Sequence, residues 1–392
     1  MCQTAGNVTS SALNPHGTGF LLINATSGSY NATGNLTSPQ PLPFTPAGGL
    51  GTNTTNVTAP VYHPFSDYDY ESLLLSLYQQ QAEQKAFRQI LQLFTVADFE
   101  QVGLSSIDFD LVQFLADQES GHTQLLQSIL GPSGIVECDY AFPFTNVSGF
   151  VTFLDKLTSW GEATVNGFLE HLDSRPAAQL LLLSVTAEAR QNVILRAFEG
   201  LFPTPALFQT AISQSLGWSL LSRYITGCSQ LTPRLVWQNF PTLNITNAPN
   251  ATSNWTLAGI TGNFTTPNPS SIPLPGTENT TINFTADFPG NAVGPNRTYT
   301  TSSHALGQPR FAAWISQINV TYTELINFSN SSTGWTASAS LPSVALFPTS
   351  RTPLISGSVY VVITDTDQPV TPFDISILND HIIAGPAVFV SN

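Results

Sequence analysis

The feature that most constrains this fold is a pair of polar side chains inside an apolar helical stripe at residues 111–130, LVQFLADQESGHTQLLQSIL. Leucine and isoleucine recur there every three or four residues, at Leu111, Leu115, Leu126 and Ile129. This spacing is typical of the inward face of an amphipathic helix. Glu119 and His122 occupy the middle of the same face, so their side chains should converge on one point.

Burying a carboxylate and an imidazole together costs several kcal/mol unless a partner compensates for the lost hydration. A metal ion held between helices is one such partner, and a simple hydrogen bond between Glu119 and His122 is another. The pair alone does not decide between them.

The flanking sequence predicts a bundle around this helix. Helices are expected at about 68–94, 106–130, 147–172 and 176–202, with a fifth at about 205–225 packing as a cap. The other three long helices also have polar residues at mid-length: Gln80 and Glu83, then Glu162, then Glu188 and Gln191. Antiparallel helices of similar length bring their middles to one height. Glu119, His122, Glu162 and Glu188 are therefore expected to point into one cavity, with Gln191 and either Gln80 or Glu83 at its edge.

This order of residues resembles the ferritin-like di-metal carboxylate proteins over residues 66–230. Their helices supply Glu, Glu-x-x-His, Glu and Glu-x-x-His. Here the last histidine is replaced by Gln191, and Glu83 is the only first-helix carboxylate available. Oxygen ligands with one imidazole suit iron or manganese better than a structural zinc. The expected ligands are Glu83, Glu119, His122, Glu162, Glu188 and Gln191. The opposing hypothesis is a relic site in which the carboxylates bond to one another, to Gln80, to Gln191 and to Arg190, partly protonated.

Longer runs resemble one fungal group more closely, among them FLADQESGHTQLLQSILGPS, TSWGEATVNGFLEHLDSR and TAEARQNVILRAFEGLFP. They are similar to the secreted ferritin-like proteins of filamentous fungi known as stress-response or late-sexual-development proteins, over residues 40–245. The resemblance implies a ferritin-like fold and an extracellular location, but little about chemistry.

Seventeen Asn-x-Ser/Thr sequons independently favour a secreted or cell-surface glycoprotein. The representative sites are Asn146, Asn244, Asn254, Asn283 and Asn319. Residues 1–20 lack the basic and apolar regions of a signal peptide, so we expect the sequence to begin after the true signal. Cys138 and Cys228 flank most of the helical region, and an oxidising compartment would favour a disulfide between them.

Charge composition argues against some functions. There are 11 Lys and Arg against 25 Asp and Glu, and none of the basic residues precedes Lys85. Such a chain lacks the basic patch that nucleic acids or anionic lipids require. No apolar run reaches the roughly 18 residues of a membrane span.

The rest of the chain divides around the bundle. Residues 1–65, rich in Thr, Ser, Asn, Gly and Pro, are interpreted as an extended glycosylated arm. Residues 231–392 alternate apolar and polar side chains and predict a β-rich, sandwich-like region. The predicted strands lie at about 282–286, 318–322, 335–341, 359–363 and 382–390. The whole is thus expected to be a multidomain α+β protein: arm, bundle at 66–230, and β-region.

Three functions stay open. The first is a secreted protein binding iron or manganese, as a metal-dependent oxidase or peroxide scavenger if it is an enzyme. The second is a non-catalytic cell-wall or matrix scaffold. The third is a carbohydrate- or partner-binding role of the C-terminal region. The sequence determines neither the reaction nor the oligomeric state.

Overall fold

The structure is a computed structural model that describes residues 62–131, 134, 136–247, 280–347 and 352–391. Most of the predicted arm and the sequon at Asn254 therefore lie outside the described residues. Among the described residues, no helix has the length and apolar character needed to cross a membrane.

Four long helices form the bundle: α1 (Asp67–Leu93), α3 (Ser106–Leu130), α4 (Val147–Phe168) and α5 (Arg175–Phe198). Each begins at a polar cap of the kind that satisfies the first backbone N–H groups. The side chains of Ser66, Ser105, Asn146 and Ser174 accept hydrogen bonds from the first turns of α1, α3, α4 and α5, respectively. The predicted helical bundle is confirmed.

The predicted fifth helix is wrong in extent. Only α6 (Gln214–Leu221) forms, while residues 202–213 are not helical. Here the backbone packs on α4 instead: Ile212 N donates to Ala163 O at 2.9 Å. Gly167 permits this approach, because a Cβ at that position would overlap Ile212 O. A short helix that the pattern did not predict, α2 (Val96–Gln101), follows α1.

The predicted disulfide is confirmed. β1 (Cys138–Tyr140) and β2 (Ile225–Cys228) pair antiparallel, with Cys138 directly opposite Cys228, and the two sulfurs are bonded. The cross-link closes a long loop that contains α4, α5 and α6, a placement that stabilises a fold mainly by restricting the unfolded chain.

The C-terminal region is rich in β-structure, as predicted, and its two larger sheets face each other. One has the strand order β3 (Leu243–Ile245), β4 (Thr281–Asp287), β10 (Gly334–Ser340) and β9 (Ile326–Asn330). The other has the order β12 (Ile382–Ser391), β11 (Gly357–Thr364), β7 (Phe311–Ser316) and β8 (Asn319–Glu324). The short β5 (Ala292–Val293) and β6 (Tyr299–Thr300) pair separately. Apolar residues from both large sheets, including Phe284, Trp314, Val361 and Phe389, form the core between them.

The second sheet is covered on both faces. The side chains on its other face alternate with those that face the sandwich. They belong to the hydrophobic core of the helices and include Ala313, Ile315, Tyr360 and Val362. Burial on both faces explains why β7 was not predicted: all six of its residues, FAAWIS, are buried, so it lacks polar alternation. The second sheet therefore lies between two hydrophobic cores, one shared with the helices and one inside the sandwich.

Candidate functional site

Polar side chains from four helices meet inside the bundle at mid-length. Glu83 on α1, Glu119 on α3 and Glu188 on α5 have no exposed surface, and Glu162 on α4 is 2% exposed. Each occupies an inward helical position where an apolar side chain would ordinarily pack. Charged groups this deep in a core require partners, and the structure provides several.

Gln80 connects α1 to α3 and α5. Its Nε2 donates to Glu188 Oε1 at 2.6 Å, and its Oε1 lies 3.1 Å from His122 Nδ1. His122 Nδ1 is also 3.5 Å from Glu119 Oε2 and 3.6 Å from Glu188 Oε1. One imidazole nitrogen thus faces the side chains of three helices, as the spacing of Glu119 and His122 predicts.

Glu119 and Glu83 form the other half of the site. Gln191 Nε2 donates to Glu119 Oε1 at 2.5 Å. Glu83 lies near Glu119, whose charge adds to burial in raising the pKa of Glu83, and it accepts a hydrogen bond from Gln79 Nε2 at 2.8 Å. The structure therefore places Glu83 in the centre of the site, where the sequence put it only at the edge.

Glu162 lies to one side of this centre. Asn192 Nδ2 donates to Glu162 Oε1 at 2.6 Å. Glu188 is close enough for its charge to act on Glu162, but among the described contacts no hydrogen bond joins the two. Asn192 was not predicted as a site residue, although it follows Glu188 by four positions and so shares its helical face.

Arg190, which the relic hypothesis paired with the carboxylates, is exposed and donates from Nη1 to Thr186 O on its own helix at 3.1 Å. That part of the hypothesis is wrong. The side chains that donate hydrogen bonds to Glu188, Glu119 and Glu162 are amides, which carry no charge.

Burial and neighbouring charge raise the pKa of three carboxyl groups in the site, those of Glu83, Glu162 and Glu188. Burial, followed by the charge of Glu119, raises the pKa of Glu188 to about 7. Burial is also the largest effect that raises the pKa of Glu83 and of Glu162 well above the usual range. Burial opposes protonation of His122, but the hydrogen bond and charge of Glu119 and the charge of Glu188 outweigh it and raise the pKa of His122. Near neutral pH Glu188 is therefore partly protonated.

The remaining carboxyl oxygens show what the site can still bind. The Oε2 atoms of Glu83, Glu119 and Glu188 are buried and accept no hydrogen bond. Buried polar atoms without partners are costly. Carboxyl oxygens together with the His122 imidazole are donor types that suit iron or manganese.

These residues do not form a finished metal centre. Within the described part of the chain, no group of three or more His, Cys, Asp or Glu side chains is already arranged to hold an ion. Instead, Gln80 and Gln191 each donate to one oxygen of a carboxyl group, on Glu188 and Glu119 respectively. This set of side chains does not supply the second imidazole of a two-metal site.

A second buried polar cluster lies along the α4–α5 interface, and it was not predicted from the sequence. Arg196 Nη1 lies 4.0 Å from Asp155 Oδ2, and Arg196 Nε donates to Phe202 O at 2.9 Å. Burial, followed by the charge of Asp155, raises the pKa of the neighbouring Glu199 to about 7. The signal that could have identified the cluster is the spacing of positions 188, 192, 196 and 199, which form one polar stripe on α5.

Comparison with known proteins fits this architecture. A family model described as "Ferritin-like domain" matches residues 68–201, the segment that contains all four long helices of the site apart from Asp67, the first residue of α1. Protein rds1 of Schizosaccharomyces pombe is 44% identical over 376 residues, which cover 92% of this chain and 90% of that protein. The chain belongs to the same family as protein rds1, and its helical region is a ferritin-like domain. The similarity to rds1 extends far beyond the helices, so the β-region belongs to the family's common architecture.

Proposed function

We propose that this protein is a secreted or cell-surface glycoprotein whose ferritin-like domain binds one iron or manganese ion. The ligands are Glu83, Glu119, His122 and Glu188. The observation that carries the proposal is that three fully buried carboxyl groups lie at mid-bundle, two of them within 3.6 Å of the His122 imidazole, and each has one oxygen that accepts no hydrogen bond. A cation would satisfy those oxygens and favour the ionised form of the carboxyl groups.

The chain's own residues define what such a site can do. A bound ion would supply Lewis acidity and one-electron redox chemistry. Burial and the charge of Glu119 favour the protonated form of Glu83, and this proton must leave for Glu83 to become a ligand. Gln79 Nε2 holds one oxygen of Glu83, and Trp160 Nε1 in turn donates to Gln79 Oε1 at 3.0 Å, so the first ligand is fixed in orientation.

Two features limit the site to one ion. Gln191 replaces the imidazole that a second ion would require, and a neutral amide is a poor ligand. Asn192 holds one oxygen of Glu162, the carboxylate on the far side. We therefore place Glu162 and Gln191 outside the ligand set of the bound ion.

The placement outside the cell and a role in stress response or development rest on other observations. The sequence resembles the fungal secreted stress-response and late-sexual-development proteins, and it has seventeen sequons. A disulfide between Cys138 and Cys228 is typical of an oxidising compartment.

The decisive test measures metal binding directly. Protein purified from a secreting host should contain close to one equivalent of iron or manganese by elemental analysis. It should also unfold at a higher temperature with Fe(II) or Mn(II) than with chelator. Glu119→Ala/His122→Ala should abolish both effects, and the isosteric Glu119→Gln provides the same test with less damage to packing. Gln113→Ala/Asp117→Ala, on the exposed face of the same helix, is the matched control.

The alternative is a non-catalytic scaffold, and a specific observation favours it. Glu188, Glu119 and Glu162 each accept a short hydrogen bond from an amide, which would keep the helices in register without any metal. If the wild-type protein contains no metal and shows no metal-dependent shift in unfolding temperature, the scaffold is correct and the metal proposal fails.

A further inference from the structure

Among the described residues, which omit 248–279 and 348–351, the two sheets of the sandwich leave one side open. On the closed side, β3 and β12 lie together, and Gly385 N donates to Pro241 O at 2.9 Å. On the open side, β8 is the last strand of one sheet and β9 the last strand of the other. Only Leu325 separates them along the chain. This side, residues 318–330, is called the open edge below.

The open edge has the properties of an aggregation-prone edge. Ile318, Ile326 and Phe328 are 39%, 48% and 44% exposed. All five residues of β9 are exposed, and Glu324 is the only charged residue between positions 318 and 330. Exposed edge strands that are apolar and nearly uncharged pair readily with other chains unless charge, distortion or a cover prevents it.

Three sequons interleave with these apolar side chains: Asn319-Val-Thr, Asn327-Phe-Ser and Asn330-Ser-Ser. All three asparagines are exposed. The register between β9 and β10 also shifts here, and Asn327 has a φ of 55°. Asn327 and Phe328 thus lie opposite Ala337 in a bulge, a distortion that turns an edge residue away from the ladder.

The sequon asparagines of the described residues are uniformly exposed, whereas the other asparagines are not. All seven described sequon asparagines are exposed: Asn146, Asn244, Asn283, Asn296, Asn319, Asn327 and Asn330. Asparagines outside sequons include buried ones, namely Asn192 and Asn239. Glycan attachment requires such access, so the distribution is the one expected if these sites are modified.

We propose that N-linked glycans on Asn319, Asn327 and Asn330 cover the open edge and prevent β8 and β9 from pairing with a second copy of the chain. The inference rests on the secretion part of the proposed function, because glycosylation requires entry into the secretory pathway. It is independent of the metal site. The glycans take the place of the lysines and prolines that protect edge strands in other proteins.

The test uses the full chain secreted from a glycosylating host. Enzymatic release of the glycans in heavy-oxygen water, followed by peptide mass spectrometry, should show occupancy at all three asparagines. Asn319→Gln/Asn327→Gln/Asn330→Gln should then shift the protein from monomer to dimer and larger species in sedimentation velocity. The control Asn146→Gln/Asn244→Gln/Asn283→Gln removes three exposed sequons away from the open edge and should remain monomeric.

Two further measurements keep the result unambiguous. If the edge variant is not secreted, the same shift should follow enzymatic removal of glycans from the folded wild-type protein. Adding Ile326→Lys and Phe328→Lys to the edge variant should restore the monomer, because charge blocks strand pairing. Unmodified asparagines, or an edge variant that stays monomeric, would overturn the proposal. Absence of bound metal would refute only the metal site and leave this result unaffected.

Discussion

Replacing Glu188 with glutamine tests two properties of this residue separately. One is the effect of its buried carboxyl group on the free energy of unfolding, and the other is its proposed role as a metal ligand. The pKa of Glu188 is raised from its ordinary value of 4.5 to about 7, chiefly by burial and then by Glu119. Below about pH 4.5 this group is neutral in both the folded and unfolded states, so it adds no pH-dependent term. As the pH rises toward 7, the unfolded state releases its proton while the folded state retains it, and the free energy of unfolding falls.

The size of that fall follows from the two pKa values. Their difference corresponds to about 3 kcal/mol, fully expressed once the pH exceeds the folded-state value. The introduced amide cannot titrate, but its side-chain oxygen can still accept the bond that Gln80 Nε2 donates to Glu188 at 2.6 Å. We therefore expect Glu188→Gln to gain about 3 kcal/mol relative to the wild type between about pH 4 and pH 8.

Urea unfolding of the chelated proteins at the two pH values measures this directly. Comparing the two pH values cancels any constant effect of the substitution on packing. The same variant should lose the metal-dependent rise in unfolding temperature, since a neutral amide replaces a ligand. A variant that gains nothing between the two pH values would refute the buried-carboxyl reasoning. A variant that keeps the full metal response would remove Glu188 from the ligand set.

Two other predictions concern packing and the second cluster. Glu199→Gln should flatten the decline in stability between about pH 4.5 and pH 7, since burial raises the pKa of Glu199 to about 7, whereas exposed Glu100→Gln should leave the unfolding curve unchanged. Gly167→Ala should lower the free energy of unfolding by roughly 1–3 kcal/mol or more, because the added Cβ overlaps Ile212 O. Gly121→Ala, where nothing lies within 4 Å, should instead raise it by about 0.5–1 kcal/mol. Thermal and urea unfolding of the pair test both signs, and a stable Gly167→Ala variant would show that the loop before α6 can move.

Helical periodicity was sufficient to predict the bundle because each long helix has both a polar cap and an inward stripe. It placed α3 at its observed bounds and brought Glu119 and His122 to the site. It could not predict the irregular chain before α6, since that path depends on a backbone contact with α4 rather than on local propensity. Nor could it predict β7, whose burial on both faces removes the alternation that identifies a strand.

The site, too, could be predicted only where it depends on the spacing of residues within one helix, and not where it depends on contacts between helices. Spacing on one helix fixes which side chains face inward, so the carboxyl groups could be named from the sequence. Partner choice depends on which helices are neighbours. The sequence therefore left Gln80 and Glu83 as alternatives at the edge, whereas the structure uses both: Gln80 donates to Glu188, and Glu83 lies near enough to Glu119 and Glu188 for their charges to raise its pKa.

Gln191 is the residue that best tests why the site should hold one ion rather than two. Its amide donates to Glu119 at 2.5 Å, where the ferritin-like pattern would place an imidazole. Gln191→His should raise the metal bound from one equivalent to two, measured by elemental analysis and by calorimetric titration. In chelator the variant should be less stable by about 1–3 kcal/mol, because Glu119 loses a buried hydrogen-bond donor.

Gln191→Leu is the matched control, since it removes the same donor without adding a ligand. It should show a similar loss of stability in chelator and no second equivalent of metal. If Gln191→His binds no more metal than Gln191→Leu, the missing imidazole is not what limits the site. The bond from Asn192 to Glu162 would then be the remaining obstacle, and Gln191→His/Asn192→Ala should bind the second ion where Gln191→His alone does not.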